Sequence, residues 1–193
     1  MATRNEGNTI MQIVVIGAGA VGRGLIAPLL LEQGHLVSFI EREDSIARGL
    51  TDGYYATRTI LREPIEMMGP VSCALRDFDV RQSLNRADLI FVSVRVENID
   101  SVVPLLYSAT VPIVIVENTP NAAGILNQAL GRDACSNGIA ECVIPESPYG
   151  EFDPTFCYRD PGGYLILEQA PTWIITDKII QSSDFEFDWK LKW

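Results

Sequence analysis

The sequence predicts an α/β fold, a doubly wound and mostly parallel sheet with an antiparallel excursion and added C-terminal strands. Three observations predict it. Short apolar runs rich in β-branched residues recur, at Ile13–Ile16, Ala87–Val94 and Pro112–Glu117, as expected of strands buried on both faces. Stretches of helical length lie between them, so strands and helices alternate as in βαβ units. The first run opens into Gly17, Gly19 and Gly22 at GxGxxG spacing, and the apolar stretch Leu25–Leu31 follows. Strand, glycine turn and helix in that order are the context of a Rossmann-like dinucleotide site.

Residues 1–10 read as a polar, flexible leader, 11–180 as the Rossmann-like domain, and 181–193 as a strand-like tail. Gln12–Ile16 is the first strand, and Arg23–Gln33 a helix stopped by Gly34. Leu36–Glu41 is the second strand, after which Asp44 or Ser45 can cap a short helix to about Leu50. Tyr54–Leu75 mixes β-branched and aromatic residues with Pro64 and a Gly69-Pro70 break. This predicts the antiparallel excursion, then a third strand near Val71–Leu75.

Val80–Asn85 is a short helix, Ala87–Val94 the fourth strand, Asn98–Tyr107 a helix with Pro104 near its end, and Pro112–Glu117 the fifth strand. Thr119 is a candidate N-cap with Pro120 at the first helical position, opening a helix that Gly131 ends. Ile139–Pro145 is the sixth strand. Glu146–Gly163, broken by prolines and glycines, reads as loop, while Tyr164–Glu168 and Thr172–Thr176 are strand-like. In the tail, Phe185, Phe187, Trp189, Leu191 and Trp193 alternate with polar and charged residues. Such a face expects the sheet edge, another subunit or further sequence against it.

With 193 residues the chain has room for one domain of ordinary size, and 47% hydrophobic content suits a packed core. A net charge of −10 argues against nucleic acid or an anionic membrane as partner. No apolar run approaches the ~18 residues of a membrane-spanning helix, and Met1–Asn8 lacks the apolar centre of a secretory signal. Cys73, Cys135, Cys142 and Cys157 form no CxxC pair, which fits buried thiols in a reducing cytoplasm and no metal site. His35, the one histidine, stands at the start of the second strand, away from the expected crevice, and reads as structural. A Ser-His-Asp triad would have to use it, which argues against a hydrolase.

The candidate cofactor site lies at the strands' C-terminal ends. Gly17 permits a tight turn, Gly19 lets a pyrophosphate approach the backbone, and Gly22 lets the helix pack on the sheet. Ala18, Ala20 and Val21 complete the phosphate-binding turn at a helix N-terminus, and Arg23, with Arg95, is a basic residue near the expected crevice, for a phosphorylated substrate or for the cofactor. Glu41 ends the second strand 24 positions after Gly17, close to the ~20-residue offset of a ribose-binding carboxylate. A 2′-phosphate would meet it as like charge, so NAD is favoured over NADP; Arg42 beside it offers a guanidinium to a phosphate. Val94, Arg95, Glu117 and Asn118 stand at the ends of the fourth and fifth strands. Arg95 reads either as an anion contact or as a solvated loop charge. Against FAD or S-adenosylmethionine stand Ile26, where FAD sites carry a small residue, and the spacing of Gly22.

Together these residues resemble the N-terminal domain of the long-chain mannitol dehydrogenase and mannitol-1-phosphate 5-dehydrogenase family. Gly17–Ile26 is similar to that family's GAGNIGRGFI, the added Arg23-Gly24 making the match more specific. Glu117-Asn118 resembles its Cys-Glu-Asn turn with Val116 in place of the cysteine. Gly138–Pro145 is similar to its GFVDSAVDRIVP strand and Trp173–Lys178 to its EWIVDK.

The resemblance implies hydride transfer between NAD and a secondary alcohol of a polyol or polyol phosphate. That chemistry needs a base for the hydroxyl proton and a donor to the developing alkoxide. The family's aspartate in SAVDRIVP has no counterpart beyond Glu141, and its catalytic K-x4-N-x2-H pattern, carried by a helical C-terminal domain, is not matched. The resemblance therefore implies the cofactor-binding half of such an enzyme, a fragment or one half of a split enzyme with catalytic residues unassigned, its partner a further domain or, through the 184–193 tail, a second copy. Glu117 or Glu141 could act as base, or serve as a positioning or solvated carboxylate. A standalone NAD(H)-binding sensor or scaffold is the alternative function.

Overall fold

A computed structural model describes residues 9–59, 62–75, 77–119, 121–142 and 156–182. The leader up to residue 8, Pro120, the end of the sixth strand from 143, the loop to residue 155 and the alternating tail fall outside the described residues.

The strands of the main sheet are β1 (Gln12–Ile16), β2 (Leu36–Ile40), β5 (Val71–Ala74), β6 (Leu89–Val92), β7 (Ile113–Val116), β8 (Cys135–Glu141), β10 (Tyr164–Leu167) and β11 (Ile179–Gln181). Their order is β11-β10-β8-β7-β6-β1-β2-β5. Every pairing from β8 to β5 is parallel, whereas β10 runs antiparallel to β8 and parallel to β11. This is the Rossmann-like sheet that the apolar runs and the glycine turn predict.

Both faces of the central strands are buried, which explains their unbroken apolar character. Ile13 and Val15 of β1 pack in one layer with Leu25, Leu29, Leu30 and Phe39. Val14 and Ile16 pack in the other, with Val102, Leu106 and Leu126. The second layer is roofed by α3 (Asp77–Arg86), α4 (Ile99–Leu106) and α5 (Ala122–Leu130). The first is covered by a helical run that starts at residue 20, passes through a π-type turn at Gly22–Ile26 and continues as α1 (Ala27–Glu32). A short α2 (Asp44–Gly49) follows β2.

The antiparallel excursion is a hairpin of β3 (Tyr55–Thr59) and β4 (Arg62–Met68), with Tyr55 opposite Met68. A third strand joins it that the turn-rich flanks conceal. Phe156–Arg159 lies within the stretch read as loop, yet forms β9, parallel to β3 with Ala56 opposite Phe156. Phe156 and Cys157 are buried there, so tertiary packing overrides weak local signals.

Other elements shift for identifiable reasons. The sixth strand begins at Cys135, because Asn127 in α5 accepts the Ala134 and Cys135 N–H groups and leads the chain into the sheet early. Thr172–Thr176 is not a strand. Thr172–Ile174 forms a 3-10 turn that buries Ile174 and sets Trp173 edge-on to His35, with ring centroids 5.4 Å apart. The strand follows at Ile179–Gln181.

Neither expected cap is used. The N-cap of α2 is Glu43, and the Ser45 hydroxyl donates to its side chain instead. The N-cap of α5 is Asn121 in the left-handed region at φ 58°, not Thr119, whose hydroxyl donates to Glu117. The first turn of α5 is satisfied from the sheet, where Asn137 Oδ1 accepts the Ala123 N–H at 2.8 Å.

Candidate functional site

The order in which strands are added reverses at β1. From β1 the sheet grows through β2 to β5, and the next strand, β6, is laid on β1's other side. The crevice expected at such a switch point is present. It has a volume of about 530 Å³ and is framed by the C-terminal ends of β1, β2, β6 and β7.

Of the predicted residues, Gly17, Gly19, Ala20, Val21, Glu41, Arg42, Val94, Arg95 and Glu117 all line this crevice. Gly17 has φ +100°, and a Cβ on it would lie 2.3 Å from the Ser93 carbonyl oxygen, so β6 closes tightly on the turn. Gly19 is different. A Cβ there would meet nothing within 4 Å, so its missing side chain leaves open space on the crevice side. The helical run begins at the next residue, and N–H groups of a first helical turn have no carbonyl one turn back to bond. Open space, N–H donors and a helix start fit a diphosphate.

Glu41 faces this turn. Its Oε2 accepts the Ala18 N–H at 2.8 Å and its Oε1 the Glu43 N–H at 2.9 Å. The carboxylate is thus fixed at the strand end, where a ribose diol would meet it. Arg42 is exposed and donates from Nη2 to Asn98 Oδ1 at 2.9 Å. Arg95 is exposed at the end of β6. Glu117 is half-buried at the end of β7, and burial pushes its carboxyl above the usual range; the Thr119 hydroxyl and Arg95 oppose that rise, and Glu97 adds to it.

Four predicted residues lie elsewhere. Ala18 and Gly22 are buried beneath the turn, and Asn118 is exposed outside the crevice lining. Arg23 is the larger correction: it is 1% exposed and its side chain does not line the crevice. Its Nε donates to the Ala18 carbonyl at 2.6 Å, a bond that holds it behind the turn.

Sequence reasoning missed Asn98, Ser101, Val102 and Leu105, which form the crevice wall on the α4 side. Their spacing of three and four residues is the helical signal that would have found them. A larger groove of about 750 Å³ lies beside α5 and β8. Its polar groups bond one another: Asn137 Nδ2 donates to Glu168 Oε2, and Asn127 Nδ2 to Asp133. It is therefore the lesser candidate. Among the described residues no group of three His, Cys, Asp or Glu could hold a metal ion, and no helix is long and apolar enough to cross a membrane. None of the four cysteines forms a disulfide; Cys135 and Cys157 are buried and Cys73 and Cys142 partly so.

The family model of ketopantoate reductase PanE/ApbA matches residues 13–156, from β1 through the crevice and into β9. The chain belongs to the ketopantoate reductase PanE/ApbA family. The fold agrees. A PanE/ApbA family ketopantoate reductase from Ralstonia eutropha JMP134 superposes with a TM-score of 0.69 at 19% identity, over 90% of this chain and 57% of that one. D-mandelate dehydrogenase in complex with NADH gives a TM-score of 0.61 at 14% identity, over 81% of this chain and 45% of that one.

The mannitol-type resemblance holds in coarser form. A mannitol-1-phosphate 5-dehydrogenase from Exiguobacterium sp. (strain ATCC BAA-1283 / AT1b) is 26% identical over 180 residues, covering 86% of this chain and 46% of that protein. The chain thus spans about half the length of this curated relative. Membership in the ketopantoate reductase PanE/ApbA family makes the chain an NAD(P)-binding domain of a dehydrogenase family.

Proposed function

We propose that the crevice binds NAD(H) in preference to NADP(H), and that the chain is the cofactor domain of a dehydrogenase acting on a secondary alcohol of a polyol or polyol phosphate. The observation that carries the cofactor reading is the pairing of the open Gly19 turn with the Glu41 carboxylate. The diphosphate would rest on the turn, held by N–H groups of residues 19–21. Glu41 would accept the ribose hydroxyls and repel a 2′-phosphate, while Arg42 is engaged by Asn98. The nicotinamide would extend towards Val94, Arg95 and Glu117. When bound, NAD would accept the hydride from the alcohol carbon, and NADH would return it in the reverse, carbonyl-reducing direction. Glu117, at the crevice end of β7, holds a proton more readily than an ordinary carboxyl because burial raises its pKa.

The polyol part is supported by the motif resemblance and by the mannitol-1-phosphate 5-dehydrogenase relative. The family match favours a second reading, reduction of a 2-oxo acid such as ketopantoate. Fluorescence titration with NADH and NADPH tests the cofactor reading, with tighter NADH binding expected and equal or absent binding against it. Turnover assays with mannitol, mannitol 1-phosphate and ketopantoate then separate the substrate readings.

A further inference from the structure

Arg23 does not line the crevice, yet it bonds the peptide next to the most open point of the turn. Its Nε donates to the Ala18 carbonyl at 2.6 Å, and its Nη1 to the Phe156 carbonyl at 3.5 Å, where β9 begins. The Tyr55 hydroxyl, from β3, donates to the Arg23 carbonyl at 2.6 Å. One buried guanidinium therefore ties the glycine turn to the small sheet.

The bond to Ala18 has a directional consequence. A peptide unit is planar and trans, so its C=O and N–H point in opposite directions. The Ala18 carbonyl shares its peptide with the Gly19 N–H. Holding that carbonyl on Arg23, behind the turn, fixes the Gly19 N–H on the opposite side of the same plane. The preceding peptide is fixed as well, by Glu41 on the Ala18 N–H. Both peptides around Ala18 are thus held in orientation, one from the crevice and one from beneath. Gly19 has no Cβ to restrain it; its own carbonyl accepts the Arg23 backbone N–H at 2.9 Å, so without the Arg23 side chain the Ala18–Gly19 peptide would lose the bond on its carbonyl and keep only that main-chain anchor one peptide on.

We propose that Arg23 is a positioning residue that, through the Ala18–Gly19 peptide, aims the Gly19 N–H at the diphosphate of the bound dinucleotide. The proposal rests on the reading of the crevice as a dinucleotide site. A charge-assisted hydrogen bond is roughly twice as strong as a neutral one, which makes a guanidinium suited to hold a peptide in a glycine-rich turn.

The test compares R23A and R23K with the wild-type 193-residue chain. Each is titrated with NADH, with ADP and with adenosine, and each is melted. The expected result for R23A is a loss of about tenfold or more in affinity for NADH and ADP, matching one charge-assisted bond. Adenosine carries no diphosphate, so its affinity should stay within about twofold. Methylguanidinium, added below denaturing concentration to refill the vacated space, should recover most of the NADH affinity. R23K keeps the charge and loses the planar fork, so it should show the same split in milder form.

Unchanged NADH affinity in a folded variant would overturn the proposal. So would equal losses for NADH and adenosine, or failure of both variants to fold, since Arg23 would then serve the fold alone. If the wild-type chain binds neither NADH nor ADP, the dinucleotide reading itself fails, and that outcome is distinct from any effect of the variants.

Discussion

Glu41 Oε2 accepts the backbone N–H of Ala18 at 2.8 Å, so the end of the second strand is bonded into the middle of the glycine turn that follows the first. Its other oxygen accepts the Glu43 N–H. The side chain read from the sequence as a ribose ligand is thus also a clasp between two strand ends. Glu41→Ala should weaken NADH binding by about tenfold or more, the worth of a hydrogen bond to a charged group, and bring NADH and NADPH affinities together. Glu41→Gln should do the same, and both should lower the melting temperature, because alanine leaves both backbone donors without their acceptor and glutamine leaves one. An amide has one oxygen for two backbone donors, so its NH₂ would face an N–H. Titration with both nucleotides, beside thermal melts, checks this; an unchanged NADH to NADPH ratio would remove Glu41 from the ribose.

The three glycines of the turn should respond differently. A Cβ at Gly19 meets nothing within 4 Å, whereas one at Gly17 lies 2.3 Å from the Ser93 carbonyl oxygen on a φ of +100°. Gly19→Ala should therefore fold with little change in melting temperature and bind NADH poorly, because the methyl group takes the diphosphate's space. Gly17→Ala should cost about 3 kcal/mol or more in stability through strain and collision, whatever the ligand. Gly22→Ala would set its Cβ 2.3 Å from the Gly17 carbonyl oxygen and should behave like Gly17→Ala. Urea unfolding and NADH titration of each variant distinguish the two classes.

Glu117 sets a pH dependence of known sign. Burial raises its carboxyl pKa in the folded chain above the ordinary value of 4.5. The folded state thus favours the protonated form, and this contribution is present in full below pH 4.5. It is lost as pH rises through the folded pKa. Glu117→Gln removes that loss, so the variant should gain stability relative to wild type as pH increases from 4 to 7. Parallel melts across this range would show the difference widening; a constant offset would contradict it.

His35 gives the second dependence. It is 3% exposed, packed against Trp173, and accepts the Met11 N–H on Nδ1 at 3.4 Å. Burial lowers its pKa below the ordinary 6.5. The unfolded chain then takes up a proton near pH 6.5 that the folded chain resists, so stability falls as pH drops below that value. The slope reaches at most about 1.4 kcal/mol per pH unit. His35→Phe should flatten the dependence between pH 8 and 5, measured by urea unfolding. A slope unchanged in the variant would assign it to other groups.

The sequence by itself determined the strand–glycine turn–helix unit, the parallel character of the buried strands, the antiparallel excursion and most of the crevice residues at the strand ends. These are local properties: β-branched runs, glycine spacing and the offset from Gly17 to Glu41 act within a few residues or one βαβ unit. Tertiary structure decided what depends on residues distant along the chain. Phe156–Arg159 becomes a strand because β3 offers it an edge a hundred residues back. Asn121, rather than Thr119, caps α5 because Asn137 on β8 receives the first-turn N–H. Arg23 carries the clearest lesson. Its place in the glycine motif suggested a cofactor contact, but its guanidinium bonds Ala18 five residues away and Phe156 at a separation of 133. A charged side chain is buried only where carbonyls are waiting for it, and here one lies nearby in the chain while the other, Phe156, is brought to it only by the folded sheet.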